Sequence, residues 1–185
     1  AQRWMDWTLN SVQAGGQFGP VRNRDWWPRM IMLKALALYY EATSDSRVLA
    51  LMDGYFRYQL QALRARPLEG WGKARGADNI LTVHWFYNLS GEQYLLDLAS
   101  LLFSQTDDWA DLQARGTVEA VVPLREWGMY THVVNNAMAV KAAAVFYPQS
   151  GEPWGHDAAK LGIQNLMRFH GQPNGIWSGD EHLNG

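Results

Sequence analysis

Three short segments of this chain align when written one above another: Tyr40-Glu-Ala-Thr-Ser-Asp45, Tyr87-Asn-Leu-Ser-Gly-Glu92 and Tyr147-Pro-Gln-Ser-Gly-Glu152. In each, a Ser or Thr follows the Tyr within four residues, and Gly or Asp with an acidic side chain comes next. That is the turn chemistry of a helix C-terminus followed by the acidic first turn of another helix. The segments recur at intervals of 47 and 60 residues, so each unit has room for two helices and a turn. A helix pair of that size cannot bury its apolar face alone and must stack on its neighbours.

The two helices of a unit differ in character. Those before the turn are apolar nearly all round, as in Met30, Ile31, Met32, Leu33, Ala35, Leu36, Leu38 and in Ile80, Leu81, Val83, Trp85, Phe86, and are expected to be buried on all sides. Those after it are one-sided, with Val48, Met52, Tyr55, Phe56, Leu60 and Leu63 at helical spacing and Arg47, Asp53, Arg57 and Arg64 elsewhere. Alternating inner and outer helices describe an all-α fold, either an open solenoid or a closed α/α toroid. Only residues 117–122 offer a short extended piece.

Composition narrows the class. The 185 residues suit one domain; 48% are hydrophobic, 18% charged, and the net charge is −2. Disorder and nucleic-acid binding are therefore not expected. No membrane-spanning run is expected either, because the best stretch, residues 30–40, is interrupted by Lys34. The chain begins Ala-Gln-Arg-Trp, so the native start is expected to have been removed or to lie upstream, and compartment cannot be read. With no Cys there is no disulfide, thiolate metal site or cysteine nucleophile within these residues.

Four glycine- and proline-containing stretches, 15–28, 67–76, 116–128 and 171–185, lead from one outer helix to the next inner helix. They exceed a minimal connection and are expected to gather at one rim, where function is usually placed. Of ten Trp, the five at Trp26, Trp27, Trp71, Trp127 and Trp177 fall in these connections. Flat aromatic faces there suit sugar stacking, or else serve as lids on helix ends. Asp25 and His132 each lie fifteen residues before a repeated Tyr, near inner-helix starts. Asp78 opens the middle inner helix, where it either caps the helix or orients a ligand, with Arg75 just before it to balance the charge or hold a hydroxyl. His84, His156 and His170 are read as structural, and His132 departs from that default through its rim position.

The last connection, Phe169-His-Gly-Gln-Pro-Asn-Gly-Ile-Trp-Ser-Gly-Asp-Glu-His-Leu-Asn-Gly185, is dense in sugar-handling groups. Gly175 and Gly179 allow tight turns, Trp177 offers a stacking face, and Asp180 and Glu181 offer carboxylates. Glycoside cleavage needs an acid to assist the departing oxygen and then a base to activate water, roles one partly desolvated Glu fills in turn. Glu181 is the candidate; the alternative is a solvated acidic turn.

Several segments together resemble the β-L-arabinofuranosidases of glycoside hydrolase family 127 and their bacterial relatives. They are Asp25-Trp-Trp-Pro-Arg-Met-Ile-Met-Leu-Lys-Ala-Leu36, Tyr55-Phe-Arg-Tyr-Gln59, Arg75-Gly-Ala-Asp-Asn79, His132-Val-Val-Asn-Asn136, His170-Gly-Gln-Pro173 and Gly179-Asp-Glu181. The resemblance implies an (α/α)6 toroid, retaining hydrolysis and a zinc-bound cysteine thiolate as nucleophile. It places the general acid/base on Glu181 and a sugar-contacting histidine on His132, with Asp78, Asp180, Trp26, Trp27 and Trp177 as further candidates for the substrate site. In the family the Glu and Cys zinc ligands come later than the Gly-Asp-Glu segment, and here the chain ends at Gly185. Residues 1–185 are thus expected to be one fragment of the catalytic domain, an incomplete ring. The zinc belongs to the complete family enzyme. No metal and little activity are expected of this piece alone, with the remainder of the domain as its partner besides a carbohydrate. The rival expectation is a non-catalytic helical scaffold that binds carbohydrate or protein. Another toroid enzyme, such as an epimerase or an unsaturated-uronide hydrolase, stands third.

Overall fold

The computed structural model describes residues 2–115, 123–177, 179 and 181–183. The expected extended piece at 117–122 and the candidate Asp180 lie outside the described residues. The fold is all-α, with only isolated β-bridges and no strand among the described residues. The chain divides into two compact units, Ala1–Gln105 and Thr106–Gly185.

The first unit holds α1 (Gln2–Leu9), α2 (Trp27–Thr43), α3 (Ser46–Ala65), the short α4 (Gly70–Ala74), α5 (Gly76–Ser90) and α6 (Tyr94–Gln105). Helices α2 and α3 form one hairpin and α5 and α6 another, with α2 packed on α5 and α3 on α6. This is the expected inner-on-inner, outer-on-outer stacking. Met30, Leu33 and Leu36 of α2, Met52 and Phe56 of α3, Ile80 and Val83 of α5 and Leu95 and Leu98 of α6 are fully buried. Each such side chain contributes about 2 kcal/mol through removal of apolar surface from water. Between the hairpins, the buried amides of Gln59 and Asn79 bond reciprocally, at 3.0 and 3.1 Å.

The second unit holds α7 (Trp109–Ala114), a 3₁₀ turn (Leu124–Glu126), α8 (Val133–Ala139), α9 (Ala142–Ser150) and α10 (Pro153–His170). Helix α10 packs on α7 and α9. The inner helix expected before Tyr147 is divided at Val140 and Lys141 into α8 and α9.

The repeated turn is the same in all three hairpins. Ser44, Gly91 and Gly151, each four residues past the Tyr, take left-handed backbone and donate their N–H to the carbonyls of Tyr40, Tyr87 and Tyr147. This satisfies an otherwise orphaned helix carbonyl and favours glycine at that point. One residue earlier, the hydroxyls of Thr43, Ser90 and Ser150 accept the N–H of Asp45, Glu92 and Glu152. The hydroxyl therefore organises the entry to the next helix.

Burial of the inner helices differs from the sequence expectation. Ile31 is 42% exposed and Leu38 60% on α2, and Leu81 is exposed on α5. Helix α2 is covered by α3 on one side and α5 on another, and the flank bearing Ile31 and Leu38 lies beyond both. A helix apolar all round need not have neighbours all round.

Candidate functional site

In the first unit the candidate groups meet where α2 and α5 begin. The chain arrives at α2 through the loop 18–25, which is wrapped around the buried guanidinium of Arg29. Arg29 donates to the carbonyls of Phe18, Pro20, Asn23 and Asp25 at 2.9–3.1 Å. Asp25 Oδ1 accepts the N–H of Trp27 at 2.9 Å and so fixes the start of the helix. Trp26 and Trp27 then go opposite ways. Trp26 is 2% exposed, its indole N–H donates to the carbonyl of Arg66, and the Arg66 guanidinium covers its ring at 3.8 Å. Its faces are taken up by packing, which corrects the expectation that it stacks on a sugar.

Trp27 is partly exposed, and its ring meets the Arg75 guanidinium at 4.1 Å, while Trp71 on α4 meets the same guanidinium at 4.5 Å. The two indoles are 6.2 Å apart. A guanidinium held against two indoles is a stable arrangement for Arg, because it sheds water readily and both rings attract its charge. Burial pulls the Arg75 guanidinium below its ordinary value, and the charges of Asp78 and Asp25 oppose that. Asp78 is itself buried in the first turn of α5. This places it beside a cation, within reach of a balancing role, and away from open solvent.

In the second unit the last connection folds back on the start of α8. The N–H of Val133 donates to the carbonyl of Glu181 at 2.8 Å, and that of Leu183 to the carbonyl of Thr131 at 2.9 Å. Residues 131–133 and 181–183 thus run antiparallel, with His132 opposite His182. Glu181 and His132, forty-nine positions apart in the chain, are thereby carried on adjacent paired segments. His132 is the N-cap of α8, its Nδ1 accepting the N–H of Asn135. Asn135 and Asn136 hold the preceding loop, donating to the carbonyls of Met129 and Tyr130, both at 2.8 Å. The His132-Val-Val-Asn-Asn136 segment is therefore a device that sets the histidine at a fixed point.

Glu181 is exposed and sits at φ 67°, a left-handed conformation that a residue with a β-carbon adopts at a cost. Gly179 permits this turn: a β-carbon there would lie 2.5 Å from the carbonyl oxygen of His182. Trp177 is partly buried against the small core of Leu166 and Leu183, in company with Val133 and Phe169. The aromatic face beside the site belongs instead to Trp127, which stacks on His182 at 4.3 Å with an interplanar angle of 19°.

His182 and Arg29 were not singled out by sequence reasoning. The position of His182, directly after the candidate carboxylate, was the available signal; its contacts with Trp127 and Thr131 come from chain pairing that local pattern does not encode. Among the described residues, no three His, Asp or Glu side chains gather as a metal would require. With no Cys in the sequence, these residues do not fit the zinc-thiolate centre that the resemblance implies. Comparison of the chain with protein families, with curated proteins and with solved structures gave no match in any of the three.

Proposed function

We propose that this chain carries the proton-transfer side of a retaining glycoside hydrolase of the β-L-arabinofuranosidase type, acting on pentose-containing glycans of plants or glycoproteins. The reading rests on the juxtaposition of Glu181 and His132 by the paired segments 131–133 and 181–183. The stacking of helix hairpins in the first unit is the element from which an α/α ring is built, and it supports the same reading.

On this proposal Glu181 in its protonated form donates to the glycosidic oxygen as the bond to the anomeric carbon breaks. As a carboxylate it then removes a proton from the water that releases the sugar. Glu181 is exposed, as a solvated acidic turn would be, and on this proposal the bound sugar supplies the partial desolvation that the acid role needs. His132 accepts at Nδ1 the N–H of Asn135 at the start of its own helix, and on this proposal its ring, held there, is the group that contacts the sugar. The nucleophile for the anomeric carbon is assigned to no residue of this chain; in an enzyme of the family a zinc-bound thiolate would supply it.

Hydrolysis of an aryl β-L-arabinofuranoside by a protein in which this chain is joined to a zinc-thiolate segment of the family, measured beside binding of L-arabinose, tests the proposal. Glu181→Gln is expected to lower kcat by about a thousandfold and to leave sugar binding intact. Unchanged turnover in that variant overturns the role of Glu181. Binding of sugar with no turnover by that joined, unsubstituted protein would put a carbohydrate-binding scaffold in place of the enzyme.

A further inference from the structure

We propose that Gln113 is a positioning residue for the proposed sugar site: buried on α7, it acts through the side-chain amide of Asn136 to hold the backbone of residues 130–132, which carries His132 into the site. This rests on the reading just given for Glu181 and His132.

Backbone carbonyls only accept, and that fixes the orientation of both amides. Nδ2 of Asn136 donates to the carbonyls of Tyr130 and His132, at 2.8 and 3.1 Å. Both protons of that amide are thereby used, and its oxygen is the atom that meets Gln113. Nε2 of Gln113 donates to Oδ1 of Asn136 at 3.2 Å and to the Asn136 backbone carbonyl at 2.9 Å. Turning either amide over would set oxygen against a carbonyl oxygen. Both side chains lie in the interior, Gln113 2% exposed and Asn136 1%, where a lost donor is not replaced by bulk water.

The segment that Asn136 grips is the one that pairs with the last connection. Tyr130 and His132 flank Thr131, whose carbonyl accepts the N–H of Leu183 at 2.9 Å, and Val133 donates to the carbonyl of Glu181 at 2.8 Å. A hold on residues 130 and 132 is therefore a hold on the pairing that carries both candidate side chains, and a site is only as exact as the residues that lock it from behind. Helix α7 is fastened to α10 by a separate contact. Asn165 donates to the carbonyls of Gln113 and Ala114, at 2.9 and 3.2 Å, which secures the helix end through its backbone and makes no use of the Gln113 amide. Gly162 of α10 leaves room for the Gln113 side chain: a β-carbon there would lie 3.2 Å from both its Cβ and its Oε1.

The test sets Gln113→Met beside Asn165→Ala. The first keeps the length of the side chain and removes its donor; the second weakens the same helix end and leaves the Gln113 amide in place. The readouts are the imidazole NMR signals of His132 in the whole chain and the calorimetric affinity for L-arabinose of the protein joined to the zinc-thiolate segment. Gln113→Met is expected to displace the His132 signals and to weaken L-arabinose binding about tenfold, with both unchanged in Asn165→Ala. Should circular dichroism show that Gln113→Met does not fold, Gly162→Ala presses on the same side chain, removes no hydrogen-bonding group and adds a good helix former to α10. It is expected to displace the same signals and to weaken binding about threefold. Signals or affinity left unchanged in the folded variant overturn the proposal. So does an equal loss in Asn165→Ala, which is what mere support of the helix packing would give. If the unsubstituted joined protein binds no L-arabinose, the proposed function falls and takes this inference with it. If it binds and the folded variant binds as well, only the inference falls.

Discussion

At the scale of single residues, two side chains show how this fold uses polar groups that periodicity would put elsewhere. Arg29 is buried and gives its guanidinium to four loop carbonyls. Arg29→Met should leave those acceptors without a donor and reduce stability by about 3 kcal/mol or more, read from urea unfolding. Arg29→Lys should recover little, because an ammonium cannot span the same fork. The sequence offered an Arg in a helix with no hint of burial, since the carbonyls it serves come from an irregular loop. Glu181 is the opposite case: Gly-Asp-Glu singled it out as a candidate, and its conformation was not legible. Held at φ 67°, it should be replaced by glycine with a gain of up to about 1 kcal/mol in stability and a loss of turnover. Unfolding midpoints of Glu181→Gly will show this, and a fall in stability would mean that the side chain supports the fold rather than a ligand.

At the scale of elements, the hairpin turn was the most legible feature. Tyr, a hydroxyl and then a small residue predicted each stop, and every stop is closed by the same left-handed bond. One turn departs from the others by carrying Ser44 where glycine stands in Gly91 and Gly151. Ser44→Gly should therefore stabilise by about 0.5–1 kcal/mol, while Gly91→Ala and Gly151→Ala should each destabilise by about 1 kcal/mol, measured as thermal unfolding shifts. The amide pair of Gln59 and Asn79 offers a second check. Asn79→Leu alone strands a buried amide, so adding Gln59→Leu should cost less than the sum of the two single changes. Burial of the inner helices was less legible, because a run of apolar residues does not say how many neighbours a helix has. The exposed flank of Ile31 and Leu38 is the result.

At the scale of the whole molecule, acid stability follows from the carboxylates on the outer helices. Arg47 hydrogen-bonds Asp45 and holds it below its ordinary value. For Asp53 burial pushes upward, but the bonds from Arg57 and Tyr94 prevail and leave it lowered. A depressed folded value means that the stabilisation is present above the unfolded value near pH ~4 and is lost as pH falls through the folded one. Urea midpoints should therefore decline below about pH 4, and less so in Asp45→Asn with Asp53→Asn; equal decline in both proteins would remove these groups from the account. The candidate site was legible as a set of residue types and only partly as a set of positions. The segments carrying Glu181 and His132 pair through their backbones, whereas Trp26 went to the core and Trp71 and Trp27 share a guanidinium. Those outcomes depend on which face of each aromatic the fold covers first. The recurring Tyr connector has one more implication. Because three hairpins close through one local geometry, the six-residue segments should be interchangeable cassettes. A chain assembled this way can be lengthened by copying a hairpin, with no new junction to be invented.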